Sequence, residues 1–494
     1  MADDLRPDLG CYQNSHPGFT SPMTLDSQTP NIDALAASGI LFEKAFVQQA
    51  LCSPSRTSLL TSRRPDTTRV GDITNYFREI GGNFTTIPQF FKENGYISIG
   101  MGKIFHSGEA SGGDNDGYSW TDPDSYYAGR NYYNGWENSS RALTEDELAN
   151  EPHQDSLIAD EAITELNSLA AGALDGSQPF FLAVGFRKPH LPFIYPESYL
   201  TLFPEDDISV PDNNYSPAYM PDLAWYSYGE LINDYYDVGT EAYPDITGLG
   251  NENTTYPDDK IIELRRAYYA TISYIDTQVG RVLDELDNLG LTDNTVVAFM
   301  GDHGWQLGEH SEWAKNTDFD IATHTPLIMR NPGVTDGGKT TSKLVEFVDI
   351  FPTLTQAAMG YRMTDCDASN SNDEILCTEG TSLVPLMRNP MRSDWKEAVF
   401  WQHPRGSALT DAIKKCMGYS IRTEDYHYTE WVQVTVADDG IDYEPDWDTE
   451  CDHAELYVLS VDPEENYNFY ADSTYAADMA DLKAKLQAGY TAYQ

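Results

Sequence analysis

The sequence predicts an α/β fold around a large, mainly parallel sheet flanked by helices, followed by a smaller C-terminal antiparallel α+β subdomain. Short apolar runs alternate with stretches of helical period through the first part of the chain, as when strands are connected by crossover helices. From about residue 390 the pattern changes to closely spaced strand-like runs with one helix at the end, which places the domains at 1–390 and 391–494. With 494 residues, 40% apolar and 12% aromatic, the composition supports a large core and argues against disorder.

Taken in order, Pro30 has a fixed φ that suits a first helical turn, and it opens a helix at Asn31 that Gly39 ends. Thr86 and Gln89 form a capping-box pattern for a helix ending near Gly95. A strand at 96–102, a helix at 154–171 and a buried strand at 179–186 follow. Ile261, Leu264, Tyr268, Ile272, Ile275, Val279, Val282 and Leu286 recur at three- and four-residue spacing, so 258–289 is a long helix with Gly290 as its stop. Residues 295–300 form the next buried strand. In the smaller unit, 398–402, 418–422, 426–434 and 455–459 read as strands and 476–488 as a closing helix. Residues 438–455 hold nine acids and no base, expected as a solvated loop, since the spacing matches no EF-hand.

Charge narrows the function. Asp and Glu number 79 against 31 Lys and Arg, a net −48, which excludes a whole-chain footprint for nucleic acid. Yet residues 52–103 hold seven Lys and Arg against four acids, so positive charge is concentrated locally. No apolar run approaches the roughly 20 residues of a membrane helix, and no signal peptide is visible after Met1-Ala-Asp-Asp. Cys366 and Cys377 flank a polar loop, Cys416 and Cys451 flank two strands, and both pairs can bridge, while Cys11 and Cys52 stand unpaired. With sequons at Asn83, Asn138, Asn214 and Asn253, this leans toward an exported protein, secreted, lysosome-like or periplasmic.

Ligands of open α/β sheets sit beyond the carboxyl ends of the strands. Those ends carry Lys103 and His106, then Arg187, Lys188 and His190, then Asp302 and His303; Asp3 and Asp4 join them if a strand precedes. Each alone has an ordinary role as surface lysine, loop histidine or helix cap. Their repeated placement on one rim is the signal. In Cys52-Ser-Pro-Ser-Arg-Thr-Ser-Leu-Leu-Thr-Ser62, Ser53 or Ser55 caps a helix running to about Arg63, with Pro54 in its first turn. The helix amino end and Arg56 then face an anion. Cys52 is either a small buried filler or a nucleophile, which requires a nearby base and a lowered pKa.

Cys-x-Pro-Ser-Arg followed by Leu-Thr resembles the signature of type I sulfatases, in the alkaline-phosphatase-like superfamily. The likeness to the branch acting on 2-sulfated iduronate extends over Asp3-Asp4-Leu-Arg-Pro, Ser62-Arg-Arg-Pro-Asp-Thr-Thr-Arg69 and Gly102-Lys-Ile-Phe-His106. It continues through Lys188-Pro-His-Leu-Pro-Phe193, Asp302-His-Gly-Trp-Gln-Leu-Gly-Glu-His310, Glu312-Trp-Ala-Lys315, Met417-Gly-Tyr-Ser-Ile-Arg-Thr423 and Glu455-Leu-Tyr457. The resemblance implies that a separate formylglycine-generating enzyme oxidises Cys52 to formylglycine, whose hydrate attacks sulfur. It implies a Ca²⁺ held by Asp3, Asp4, Asp302 and His303 with an oxygen of residue 52. Hard carboxylates suit Ca²⁺ and a thiolate does not, so exchanging sulfur for oxygen fits; imidazole is an uncommon calcium ligand, and that branch shares it.

Arg56, Lys103 and Lys315 would bind sulfate oxygens, His190 protonate the leaving sugar oxygen, and His106 draw the proton from the second hydroxyl, with the division between the histidines open. Lys103, His190, Trp305 and Lys315 are substrate-binding candidates; Trp305 either stacks on a sugar or packs, and Lys315 also suits a uronate carboxylate. His403 and Arg405 either project over the pocket or serve structure. The implied substrate is a sulfated sugar, foremost a 2-O-sulfated iduronate or similar uronate of an acidic polysaccharide, with residues 107–150 as a specificity loop.

Two departures stand out. Leu60-Thr-Ser62 replaces the family's Leu-Thr-Gly, and Ser62 is expected to close the turn. Only Met1 and Ala2 precede Asp3, where the family has an apolar strand; the expectation is a truncated chain that lost its export signal too. Asp3 and Asp4 would then lie on a frayed end beside uncovered ladder groups. A phosphate-ester hydrolase, a sulfatase of other glycans, and an inactive sulfated-glycan binder are the rival readings.

Overall fold

The inner strands Ile97–Gly102, Val297–Met300 and Leu327–Arg330 are mostly apolar because helices cover both faces of the large sheet. A computed structural model describes residues 1–13, 28–113, 117–122, 125–129, 138–246, 248–367, 371–405, 415–435 and 444–493. The sheet contains β1 (Ala2–Asp3), β2 (Ile40–Phe46), β3 (Ile97–Gly102), β4 (Tyr126–Tyr127), β5 (Phe180–Pro189), β6 (Val297–Met300), β7 (Leu327–Arg330) and β8 (Lys339–Glu346). One half runs β8-β2-β7-β6 and the other β1-β5-β3-β4; a parallel bridge from Ala2 to Gly301, just past β6, joins them. The sheet is mainly parallel, as expected, with β7 antiparallel to both its neighbours.

Helices α1 (Pro30–Ser38), α2 (Cys52–Thr61), α3 (Gln154–Asp175) and α4 (Asp258–Asn288) supply most of the cover. Along β5, Phe180, Leu182 and Val184 lean toward the cluster containing Ile158, Leu264, Tyr268 and Ile275. Phe181 and Ala183 lean toward the opposite one, with Leu59, Leu60, Phe90 and Phe351. The period of two along one strand thus feeds two cores. Thr86 accepts from Gln89 N (3.3 Å) at the start of Ile87–Glu93, one half of the capping box read from the sequence, while the Gln89 side chain turns to Arg78 and Glu93.

The smaller sheet comprises β9 (Val399–Arg405), β10 (Lys415–Arg422), β11 (Tyr426–Thr435), β12 (Glu444–Glu450) and β13 (Glu455–Val458). All its pairings are antiparallel, and α5 (Ala476–Ala488) covers it through Leu482 and Leu486. Trp401 of β9 stacks on Phe46 of β2 at 5.3 Å, linking the two sheets. Cys366–Cys377 and Cys416–Cys451 are disulfides, and Cys11 and Cys52 are free, as expected. No helix among the described residues is long and apolar enough to cross a membrane.

Three local expectations are corrected. The acidic stretch is no mere loop: Glu444–Glu450 pairs with β11, while 436–443 lie outside the described residues. Helix α2 starts at Cys52 itself, with Leu51 at the N-cap and no side-chain cap, so Ser53 and Ser55 lie inside it. Asp3 and Asp4 are not frayed: β1 pairs with β5, Ala2 opposite Phe186, and both aspartates are buried. Beneath Met1 the halves of the sheet do part, around an apolar cavity of about 500 Å³ lined by Met1, Phe180, Leu182, Val184, Val297 and Phe299. Ser62 closes α2 in the left-handed region, φ 57°, as expected of it.

Candidate active site

Strands β1, β2, β3, β5 and β6 are mutually parallel, so their carboxyl ends meet at one edge of the sheet. Each delivers polar groups there: Asp3 and Asp4 from β1, Cys52 from the turn after β2, Lys103 and His106 after β3, His190 after β5, Asp302 and His303 after β6. The approach is close. A Cβ on Gly185 would lie 2.2 Å from Lys103 O, and Gly102 itself has φ 70°, so both positions require glycine. Asp4 also takes a left-handed conformation, φ 60°. Its N–H donates to Asp302 Oδ1 (2.8 Å), and Tyr268 Oη donates to Asp4 O (2.7 Å), which hold the strained residue in place.

Cys52 Sγ is the meeting point. It lies 3.4 Å from Lys103 Nζ, 3.6 Å from Lys315 Nζ and 3.5 Å from His303 Nε2. Asp3 Oδ1 and Asp4 Oδ1 are each 3.8 Å away. Burial pushes the Cys52 thiol up, and the pull of Lys103 and Lys315 toward the thiolate does not offset it. A cysteine nucleophile of lowered pKa is therefore not what this environment makes. Arg56 donates from Nη2 to Asp3 Oδ1 (2.7 Å), from Nε to Asp302 Oδ2 (3.0 Å) and from Nη1 to Ile104 O (3.0 Å), tying three strand ends together. Lys103 donates to Asp3 Oδ2 (2.6 Å) and Lys315 to both Asp4 oxygens (2.9 Å). Although burial opposes their charge, Lys103 and Arg56 hold Asp3 well below the usual carboxylate range.

Asp4, Cys52, Asp302 and His303 each present a ligand atom within 4.8 Å of the others, all buried. Two carboxylates and an imidazole facing one point suit a hard divalent cation, with the sulfur as the misfit donor. Asp3 groups with Asp4 and His190 instead. His303 Nε2 is 3.3 Å from Asp4 Oδ1, and its Nδ1 is 2.9 Å from Gly304 O. With Nδ1 donating to that carbonyl, Nε2 is left to face the cluster.

His106 is half-buried, its Nδ1 has no hydrogen-bond partner among the described residues, and burial, followed by Lys103, pushes it down to about 3. His190 keeps 31% of its side-chain surface exposed, with Nε2 3.8 Å from Asp4 Oδ2 and Nδ1 2.6 Å from Leu191 O. Trp305 is fully buried under Lys315, whose Nζ lies 5.0 Å from its ring; this corrects the sugar-stacking alternative, because no face of the indole is open. Arg405 donates to Leu223 O (2.9 Å) and Ala224 O (2.8 Å), a structural use. His403 is buried, and its Nδ1 has no partner among the described residues.

Two groups escaped the sequence reading. Asp155, in the first turn of α3, accepts from Arg187 N (2.8 Å) and Lys188 N (3.1 Å) and thereby fixes the chain leading to His190. Glu230, in a short helix Gly229–Ile232, reaches Lys315 at 3.4 Å. Neither sits in a motif; Asp155 reads as an ordinary first-turn acid. Of the expected specificity loop, 114–116, 123–124 and 130–137 lie outside the described residues.

The sulfatase family profile matches residues 1–361, and that of the N-sulphoglucosamine sulphohydrolase C-terminal region matches 308–491. The chain is 36% identical over 541 residues to iduronate 2-sulfatase of Mus musculus, covering 98% of this chain and 92% of the relative. It superposes on BT4656 in complex with its substrate D-glucosamine-2-N,6-O-disulfate with a TM-score of 0.68 at 20% identity, covering 100% and 97% of the chains. On a phosphonate monoester hydrolase from Silicibacter pomeroyi the TM-score is 0.72 at 19% identity, covering 100% and 94%.

Proposed function

The chain belongs to the sulfatase family, as a type I sulfatase of the alkaline-phosphatase-like superfamily that hydrolyses sulfate esters, and we propose that it removes the 2-O-sulfate of an iduronate or similar uronate using formylglycine made from Cys52 and a bound Ca²⁺. The supporting observation is the convergence of Asp3, Asp4, Asp302, His303, Lys103 and Lys315 on one buried residue 52. The substrate assignment is supported by the 36% identity to iduronate 2-sulfatase. Asp3, Asp4, Asp302 and His303 would hold the cation. When present, the aldehyde hydrate supplies an oxygen nucleophile and the cation polarises the sulfate oxygens.

The chain's own groups do the rest. Lys103 and Lys315, each within 3.6 Å of residue 52, offer ammonium donors to the sulfate oxygens. Arg56 pairs with Asp3 and Asp302 and holds both carboxylates in place. His106, held neutral by burial, suits the proton acceptor at residue 52. His190, more open and facing Asp4, suits proton delivery to the leaving oxygen. In this reading a catalytic domain, 1–390, carries the chemistry and 391–494 braces it. The disulfides and the exposed sequon residues Asn83, Asn138 and Asn253 support an exported enzyme that meets a formylglycine-generating enzyme on its way.

Sulfate release from a panel of sulfated sugars tests the reading. Release from a terminal 2-O-sulfated uronate is expected in the wild type and is abolished in Cys52→Ala. Appreciable turnover by that variant, or preference for a phosphate ester, contradicts it.

A further inference from the structure

We propose that Glu230 competes with bound sulfate for Lys315 and so limits how tightly the active site retains its product; this rests on the sulfatase reading above. Glu230 Oε1 lies 3.4 Å from Lys315 Nζ, and the glutamate side chain keeps 22% of its surface exposed while that of the lysine keeps 3%. Among the described residues, the other groups in contact with that ammonium are buried: Asp4 at 2.9 Å, Cys52 Sγ at 3.6 Å and the Trp305 ring at 5.0 Å. Glu230 is thus the partner that reaches Lys315 from the solvent side.

An anion arriving at residue 52 needs one of the three donors of Lys315. Displacing Asp4 would strand a buried charge, which is costly; displacing a partly exposed glutamate returns it to water at little cost. Glu230 is therefore the group that yields to the substrate and comes back as sulfate leaves. Its charge does not act alone on this side of the pocket. The Asp234 carboxyl is pushed up by burial first and by Glu230 next, and Glu230 likewise raises the phenols of Tyr226 and Tyr235 after burial has done so. Two carboxylates beside His190 and Lys315 oppose the retention of a dianion that Lys103 and Lys315 would otherwise hold firmly. Such opposition favours turnover where product release is slow.

The test is isothermal titration calorimetry of inorganic sulfate into wild type, Glu230→Gln and Asp234→Asn at one fixed ionic strength, all three shown to unfold cooperatively. Glu230→Gln is expected to bind sulfate about three- to tenfold more tightly, with sulfate becoming a correspondingly stronger product inhibitor, and Asp234→Asn to change binding less. Unchanged or weaker sulfate binding in Glu230→Gln overturns the proposal. An equal gain in Asp234→Asn also overturns it, because the effect is then general charge. So does a raised KM for sulfated sugars with unaltered sulfate affinity, the mark of a glutamate that binds sugar hydroxyls. Tighter sulfate binding in Glu230→Gln, with no sulfate ester cleaved by the wild type, would sink the sulfatase reading and leave the competition for Lys315 standing.

Discussion

Burial and charge pull Cys52 in opposite directions. Two ammonium groups favour its thiolate, but loss of water dominates and pushes the thiol up. A neutral thiol is a weak nucleophile and a soft donor beside hard carboxylates, so the surroundings suit residue 52 once oxygen replaces its sulfur. Desolvation governs Asp318 as well. Burial pushes its carboxyl up to about 8, against the opposing pull of Arg405, His427 and a Ser420 hydroxyl. An unfolded aspartate titrates near ~3.9. The folded chain therefore keeps a proton that the unfolded chain has lost between those values. This contribution to stability is complete below the unfolded pKa and is lost as pH rises through about 8. Asp318→Asn should match the wild-type Tm in acid and exceed it at alkaline pH, measured by thermal denaturation across the range. A variant that loses stability on alkalinisation as steeply as the wild type contradicts this.

At the scale of elements, the register of β3 against β5 aligns Lys103 with the chain running to His190. Gly185 permits it, since a Cβ there would lie 2.2 Å from Lys103 O. Gly185→Ala is expected to cost about 1–3 kcal/mol through forced backbone displacement, read as a lower Tm, and to lower activity by moving Lys103. An unchanged Tm would show that β3 and β5 part without cost. Helix α4 was legible because its apolar residues recur on one face over many turns. Strand β1 was not, because a two-residue strand has no period to read and its place depends on β5 and Gly301, far along the chain. Strand β12 was hidden by its acids, yet Pro445, Trp447 and Thr449 alternate inward between exposed carboxylates, and Trp447 reaches Tyr419 at 5.3 Å.

For the whole molecule, the charge of −48 looks hostile to an anionic substrate, but the lysines that matter are buried beside residue 52, so the local field differs from the sum. The rim of Asp3, Asp4, Lys103, His106, His190, Asp302 and His303 was legible because parallel strands bring all their carboxyl ends to one edge. The burial of Trp305, the carbonyls taken by Arg405 and the approach of Glu230 were not, since packing between distant segments decides them. The most direct test of the central claim is mass spectrometry of the peptide containing residue 52, from protein produced together with a formylglycine-generating enzyme. Formylglycine at position 52 is the predicted result, in step with sulfatase activity. An active enzyme carrying only unmodified cysteine there would contradict it.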